Sequence, residues 1–295
     1  MNEKELHKEF YNFAQDFLNK HIPEGVNLNL YMVPAKIKTM NDVYKQLIFS
    51  AQNRVMSNNV IGERINGIEN LRVVLQDFDV RKVLEKYDNA DQIFTEISKE
   101  FNFNKDEKKK TREIKKTNIK KVDDKYIENN IKFEKRTLWY QFCFSIYDGA
   151  KFLDQFRRWN DFKKFVEMFQ ADPRALPALP LLISKEVYGF QVALSCDFLK
   201  EIGFINFGKP DVHVIEILER CGFSTDETSE SRKDYEMMKK ITEIAGNAEI
   251  DAYRFDKILW LIGSGRYYKD NIKTHSLRKV FINEWNNRNK RVSSR

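Results

Sequence analysis

A chain of 295 residues with 42% hydrophobic and 13% aromatic side chains, only 11 Gly and 6 Pro, can bury a substantial core as one large or two modest domains, which excludes fibrous and low-complexity classes. Its formal net charge of +7 and pI near 9.0 favour a polyanionic partner, with a merely Lys-rich surface as the plain alternative. The opening MNEKELHKEF lacks the apolar stretch of a signal peptide and no run approaches membrane-spanning length, so the expectation is a soluble intracellular protein, cytoplasmic or nucleoid-associated.

In residues 3–20, Leu6, Phe10, Phe13 and Phe17 recur at spacings of three and four, which predicts an amphipathic helix. Pro23, Gly25 and Pro34 mark a connector. Asn41 is placed to cap a helix over 42–56, and helical periodicity continues over 61–76, 80–87 and 90–101. Residues 102–135 are Lys-rich and nearly devoid of large apolar side chains. They read as a solvated insertion or as a basic arm that tracks a nucleic-acid backbone. From Thr137 an aromatic-rich helical run follows, then a helix over 160–169, three prolines in ADPRALPALP, and helices over 212–220, 236–245 and 252–262, where Trp260 is a packing residue. No period of 20 to 50 residues repeats, which argues against a solenoid. Cys143, Cys196 and Cys221 lie far apart with no CxxC spacing, so they read as reduced, buried thiols and encode neither a zinc cage nor an iron–sulfur cluster.

Three runs carry candidate chemistry. In YGFQVALSCDFLKEIG a glycine sits between two helical patterns, where the backbone N–H groups of Gly189 and Gln191 can face a phosphate; the plain alternative is an ordinary turn. Asp211 follows 18 positions after Ala193 in KPDVHVIEIL, as a carboxylate placed to act on the sugar or simply as a helix N-cap. Far upstream, LIFSAQNRVMSNN ends an apolar helix in Ser-Ala-Gln.

Together and in this order, the three runs resemble the helix-hairpin-helix DNA glycosylase superfamily, the group of endonuclease III and the 8-oxoguanine glycosylases, over about residues 40–262. The resemblance implies an all-α, two-lobed fold with a cleft between lobes. One lobe would span 41–199, with a basic insertion near 103–135, and the other would combine 1–40 with 200–295. It gives Gln52 the space left by a flipped base, Asp211 the catalytic carboxylate, and the hairpin at Gly189, Gln191 and Ala193 the phosphate. Asn53 and Arg54 follow as further candidate DNA contacts, with a surface role as the plain alternative for Arg54, and Lys209 beside Asp211 reads as a phosphate-binding or solvated lysine rather than as the missing amine, since it is not in the hairpin. His213 either orients Asp211 or is structural, and Trp139, Tyr140, Phe142 and Tyr147 either wall the base pocket or are core. The family's second hairpin glycine is replaced by Gln191. The Schiff-base lysine of bifunctional members is replaced by Ala193, or by Gln191 in a shifted register, which implies a monofunctional enzyme that leaves an abasic site. A monomer acting on double-stranded DNA, without cofactor, metal or iron–sulfur cluster, is expected. Two alternatives stand beside it: a catalytically inactive DNA-binding protein of the same fold, and a helical protein-interaction domain.

Overall fold

The computed structural model describes residues 2–53, 61–62, 64–102, 138–225 and 229–293. In chain order the helices are α1 (Glu3–His21), α2 (Leu28–Tyr31), α3 (Met40–Gln52), α4 (Val80–Lys86), α5 (Ala90–Glu100), α6 (Leu138–Asp154), α7 (Trp159–Gln170), α8 (Ala178–Glu186), α9 (Val192–Glu201), α10 (Val212–Arg220), α11 (Glu230–Asn247), α12 (Ala252–Ser264) and α13 (Arg278–Ser293). A small antiparallel ribbon pairs β1 (Arg266–Tyr267) with β2 (Ile272–Lys273). The architecture is therefore mainly helical. No described helix is long and apolar enough to cross a membrane.

The chain divides into two compact units. A terminal unit contains Met1–Lys36, Val166–Leu181 and Ser195–Arg295, and an inner unit contains Ile37–Phe165 and Leu182–Leu194. Residues 166–181 and 195–199, expected with the 41–199 lobe, thus belong with the terminal segments.

In the inner unit α6 packs against α3, α4 and α5. Its core includes Tyr44, Leu47, Val83, Ile93, Phe142 and Ile146. Tyr44 is fully buried, and its hydroxyl donates to the Ile146 carbonyl at 2.9 Å, so the phenol enters the core without an orphaned polar group. Gly149 lets α6 approach α3, because a Cβ there would lie 2.5 Å from Leu47 Cδ2. In the terminal unit α1, α10, α11, α12 and α13 pack around Phe10, Phe17, Ile217, Ile241, Phe255, Leu259, Phe281 and Trp285.

Local chemistry moves several predicted boundaries. Thr39, not Asn41, caps α3: its hydroxyl accepts the Asp42 N–H at 3.2 Å while the Asp42 carboxylate accepts the Thr39 N–H at 2.9 Å. The described helix ends at Gln52 with Asn53 as its C-cap, and residues 54–56 of the predicted 42–56 segment lie outside the described residues. The described residues of 61–76 form not one α-helix but turns with short 3₁₀ pieces at Ile68–Leu71 and Gln76–Phe78. The Asn70 amide donates to the Ile65 and Asn66 carbonyls at 2.9 and 2.8 Å, competing for acceptors that a regular helix uses, and Gly67 has φ 96°. The apolar spacing is still satisfied, since Ile61, Ile65, Ile68 and Leu71 are buried. The Lys-rich 103–135 stretch also lies outside the described residues.

Candidate functional site

Asp211 is the N-cap of α10. Its backbone is extended (φ −78°, ψ 152°), and its carboxylate accepts the His213 N–H at 2.9 Å, so one oxygen is oriented by the first helical turn. The residue is half-buried, so the N-cap is not closed off from solvent. The approach to it is held from α12. Lys209 donates its backbone N–H to Asp256 Oδ2 at 2.5 Å, and Asp211 donates its own N–H to the Lys209 carbonyl at 2.8 Å across Pro210. Gly208 makes room for this segment, since a Cβ there would lie 2.2 Å from Ile241 Cγ2.

Behind this segment lies a buried ionic group contributed by α9, α12 and Lys209. Lys200 Nζ donates to Asp256 Oδ1 at 2.6 Å, Lys209 Nζ to Asp197 Oδ1 at 3.1 Å, and Lys257 Nζ to Glu201 Oε1 at 2.9 Å. Lys200 and Lys257 stand over the Tyr253 ring at 5.3 and 5.2 Å, and Lys257 also over Tyr268 at 5.7 Å. Charges taken out of water at this depth persist only when paired, and the pairing divides the carboxyls. Burial would push Asp197 up, but the Lys209, Lys200 and Lys257 ammoniums outweigh it and hold the carboxyl at about 2. At Asp256 burial prevails over Lys200 and lifts the carboxyl above its ordinary range. Burial alone would lower Lys209, yet the Asp197, Asp211 and Asp256 carboxylates together hold its ammonium above the ordinary lysine range.

The His213 ring is engaged away from Asp211. Arg278 donates to its Nδ1 at 3.2 Å and pairs with Glu216 at 2.8 Å, so the link from His213 to Asp211 runs through its backbone N–H. Burial, opposed by Asp211 and reinforced by Arg278 and Arg266, holds the imidazole below its usual range. The structural role thus accounts for this ring better than an orienting one.

The hairpin joins α8 to α9. Gly189 adopts φ 74°, the left-handed region that glycine enters at least cost, whereas Gln191 is exposed and takes no positive φ. Glutamine in place of a second glycine therefore introduces no backbone strain. The turn is fastened to α6: the Tyr188 N–H donates to Asp148 Oδ2 at 3.1 Å, and Ser145 Oγ donates to the Tyr188 carbonyl at 2.7 Å. Gly189 and Ala193 are half-buried.

The other expected contacts are placed less favourably. Gln52 ends α3 with 3% of its surface exposed, so insertion into DNA requires its side chain to leave that buried position. Asn53 is the exposed C-cap of α3, and Arg54 lies outside the described residues. Trp139, Tyr140 and Phe142 are buried on α6, with Trp139 and Phe142 edge to face at 5.9 Å and Tyr140 stacked on Phe144 at 4.3 Å. They are packing residues rather than an open wall. Tyr147 is half-buried and donates its hydroxyl to the Asp88 carbonyl at 2.5 Å. All three cysteines are free and buried, and burial raises each thiol, Cys221 to about 12.

Sequence reasoning missed the Asp197–Lys200–Asp256–Lys257 group. Its signal was charged residues inside apolar helical runs, CDFLKE and RFDKILW, where a helix turned inward must carry its ions as pairs. No protein-family model, curated protein or solved structure matches the chain.

Proposed function

We propose that the chain is a monofunctional DNA N-glycosylase of the two-lobed helix-hairpin-helix kind, which flips out a damaged, mispaired or modified base and hydrolyses its bond to deoxyribose. The observation that carries this reading is Asp211: a carboxylate at the half-buried N-cap of α10, oriented by the His213 N–H and preceded by a clamped approach. A glycine-bearing hairpin earlier in the chain, with Gly189 at positive φ, supports it. The net charge of +7 suits a polyanionic partner.

The chemistry asks little else of the protein. Breaking the N-glycosidic bond builds positive charge on the sugar, which a fixed carboxylate stabilises while it orients the attacking water. Extruding the base costs a few kcal/mol, least for a mispaired or damaged one, and phosphate contacts at the hairpin would hold the strand meanwhile. The burial of Gln52 favours a second reading, a protein of this fold that binds DNA without excising a base.

An excision assay over a panel of lesion-bearing and modified duplexes, with alkali added after incubation, tests the proposal. Base release that is lost in Asp211→Asn, with DNA affinity kept within about threefold, is expected, because the substitution removes charge rather than shape. Binding without release from any duplex favours the second reading. Release that persists in Asp211→Asn overturns the assignment.

A further inference from the structure

Where α1 packs against α11, two pairs of side chains spaced four residues apart face each other: Glu3 and His7 on α1, Glu243 and Asn247 on α11. One ligand atom from each of Glu3, His7 and Glu243 lies within 4.8 Å of the other two. Residues four apart on a helix share a face, so each helix presents its pair to the other without distortion. His7 is buried at 1% exposure with Nε2 3.9 Å from Glu3 Oε1, while both glutamates reach solvent.

Two further contacts point to a cation. Lys240 places its ammonium 2.7 Å from Glu243 Oε2 and 3.8 Å from Glu3 Oε1, so the two carboxylates already converge on positive charge. On the far side of the imidazole, the Asn247 amide nitrogen lies 2.8 Å from His7 Nδ1. Rotating that amide by half a turn presents its carbonyl to an Nδ1–H and leaves the Nε2 lone pair directed at the carboxylates. A second hydrogen bond of this kind fixes the tautomer of metal-bound histidines.

We propose that Glu3, His7 and Glu243 form a site for a divalent first-row transition ion of the zinc or manganese type, with Asn247 fixing the imidazole and Lys240 occupying the cation position when the ion is not bound. Donors at the usual 2.0–2.2 Å from one ion stand about 3.0–3.4 Å apart, so the three groups close by at most roughly 2 Å, within the reach of a glutamate rotamer change. One imidazole and two carboxylates suit such ions better than calcium or magnesium, which take oxygen ligands almost alone. Three protein ligands leave positions for water or for a further ligand. The ion would pin the first turn of α1 to α11.

Titrating the 295-residue chain with zinc chloride, and separately with manganese chloride, reads the site by calorimetry and by the thermal midpoint. Expected are about one ion bound per chain and a midpoint raised by roughly 3 °C or more at saturation, because the ion binds only the folded arrangement. His7→Gln and Glu243→Gln should each weaken binding at least about tenfold, and Lys240→Gln should tighten it by removing the competing ammonium. Glu243 is exposed, so its substitution keeps the test valid if His7→Gln fails to fold. No binding of either ion, or equal binding in the parent and in Glu243→Gln, would overturn the proposal.

Discussion

The Asp256 carboxylate holds Lys209 by its backbone, accepting that N–H at 2.5 Å on Oδ2 while Oδ1 takes the Lys200 ammonium at 2.6 Å. One buried side chain on α12 therefore fixes both the interior end of α9 and the strand of chain that delivers Asp211. Lys200 and Asp256 are almost wholly buried. Removing the carboxylate leaves an ammonium and an amide without an acceptor, a loss of about 3–5 kcal/mol for a broken buried pair. Asp256→Ala should lower the urea midpoint accordingly, and Asp256→Asn, which keeps the shape and one acceptor, should lower it less. An unchanged midpoint in Asp256→Ala would show that the pair contributes nothing to stability.

Gly263 on α12 faces α10 two residues beyond Asp211. A Cβ there would lie 2.7 Å from the His213 Cβ, a backbone-proximal atom that cannot swing aside. Gly263→Ala should cost roughly 1–3 kcal/mol as the helices part. Under the proposed function it should also slow base release, since α10 carries the Asp211 cap. Thermal unfolding and single-turnover kinetics measure the two effects separately.

His213 gives a pH signature. Burial first, then Arg278 and Arg266, hold its imidazole below the ordinary value against the opposing pull of Asp211. The folded state therefore refuses a proton that the unfolded chain accepts at about pH 6.5, so the stability it contributes is complete above that value and is lost as pH falls through the lower folded value. His213→Gln should flatten stability against pH below about 6.5. Arg278→Met should move the His213 titration, followed by NMR, upward.

How far the sequence reveals this molecule depends on the range of the interaction that decides each feature. The amphipathic spacing of Leu6, Phe10, Phe13 and Phe17 is local, and α1 forms where it predicts. Asp211 is legible as an N-cap because capping needs only the two residues that follow. Local competition hid the turns at 61–76, where Asn70 takes helix acceptors. The helix α13 was missed because NEWNNRNKR is polar, although Phe281, Ile282 and Trp285 carry its buried face. Long-range pairing hid the rest: nothing near Asp256 in sequence shows that its partners are Lys200 and the Lys209 amide. The motif resemblance directs Gln52 outward, whereas its burial depends on what the remainder of the chain packs over it.

The last prediction separates hydrolysis from lyase chemistry and turns on Lys209, the amine that follows α9 most closely before Asp211. Attack on C1′ to form an imine requires a neutral amine free to approach the sugar. Lys209 is neither: its Nζ is committed to Asp197 at 3.1 Å, and the Asp197, Asp211 and Asp256 carboxylates outweigh burial to hold the ammonium above its ordinary range. Under the proposed function, the hairpin carries Ala193 and Gln191, neither of which is an amine. If the chain is the proposed glycosylase, water is then the expected nucleophile, and the product should be an intact abasic strand that breaks only after alkali or an added lyase. Borohydride present during turnover should trap no protein–DNA adduct. An adduct that forms in the parent and disappears in Lys209→Ala would mean that DNA binding releases this lysine from Asp197, and the monofunctional reading would fall.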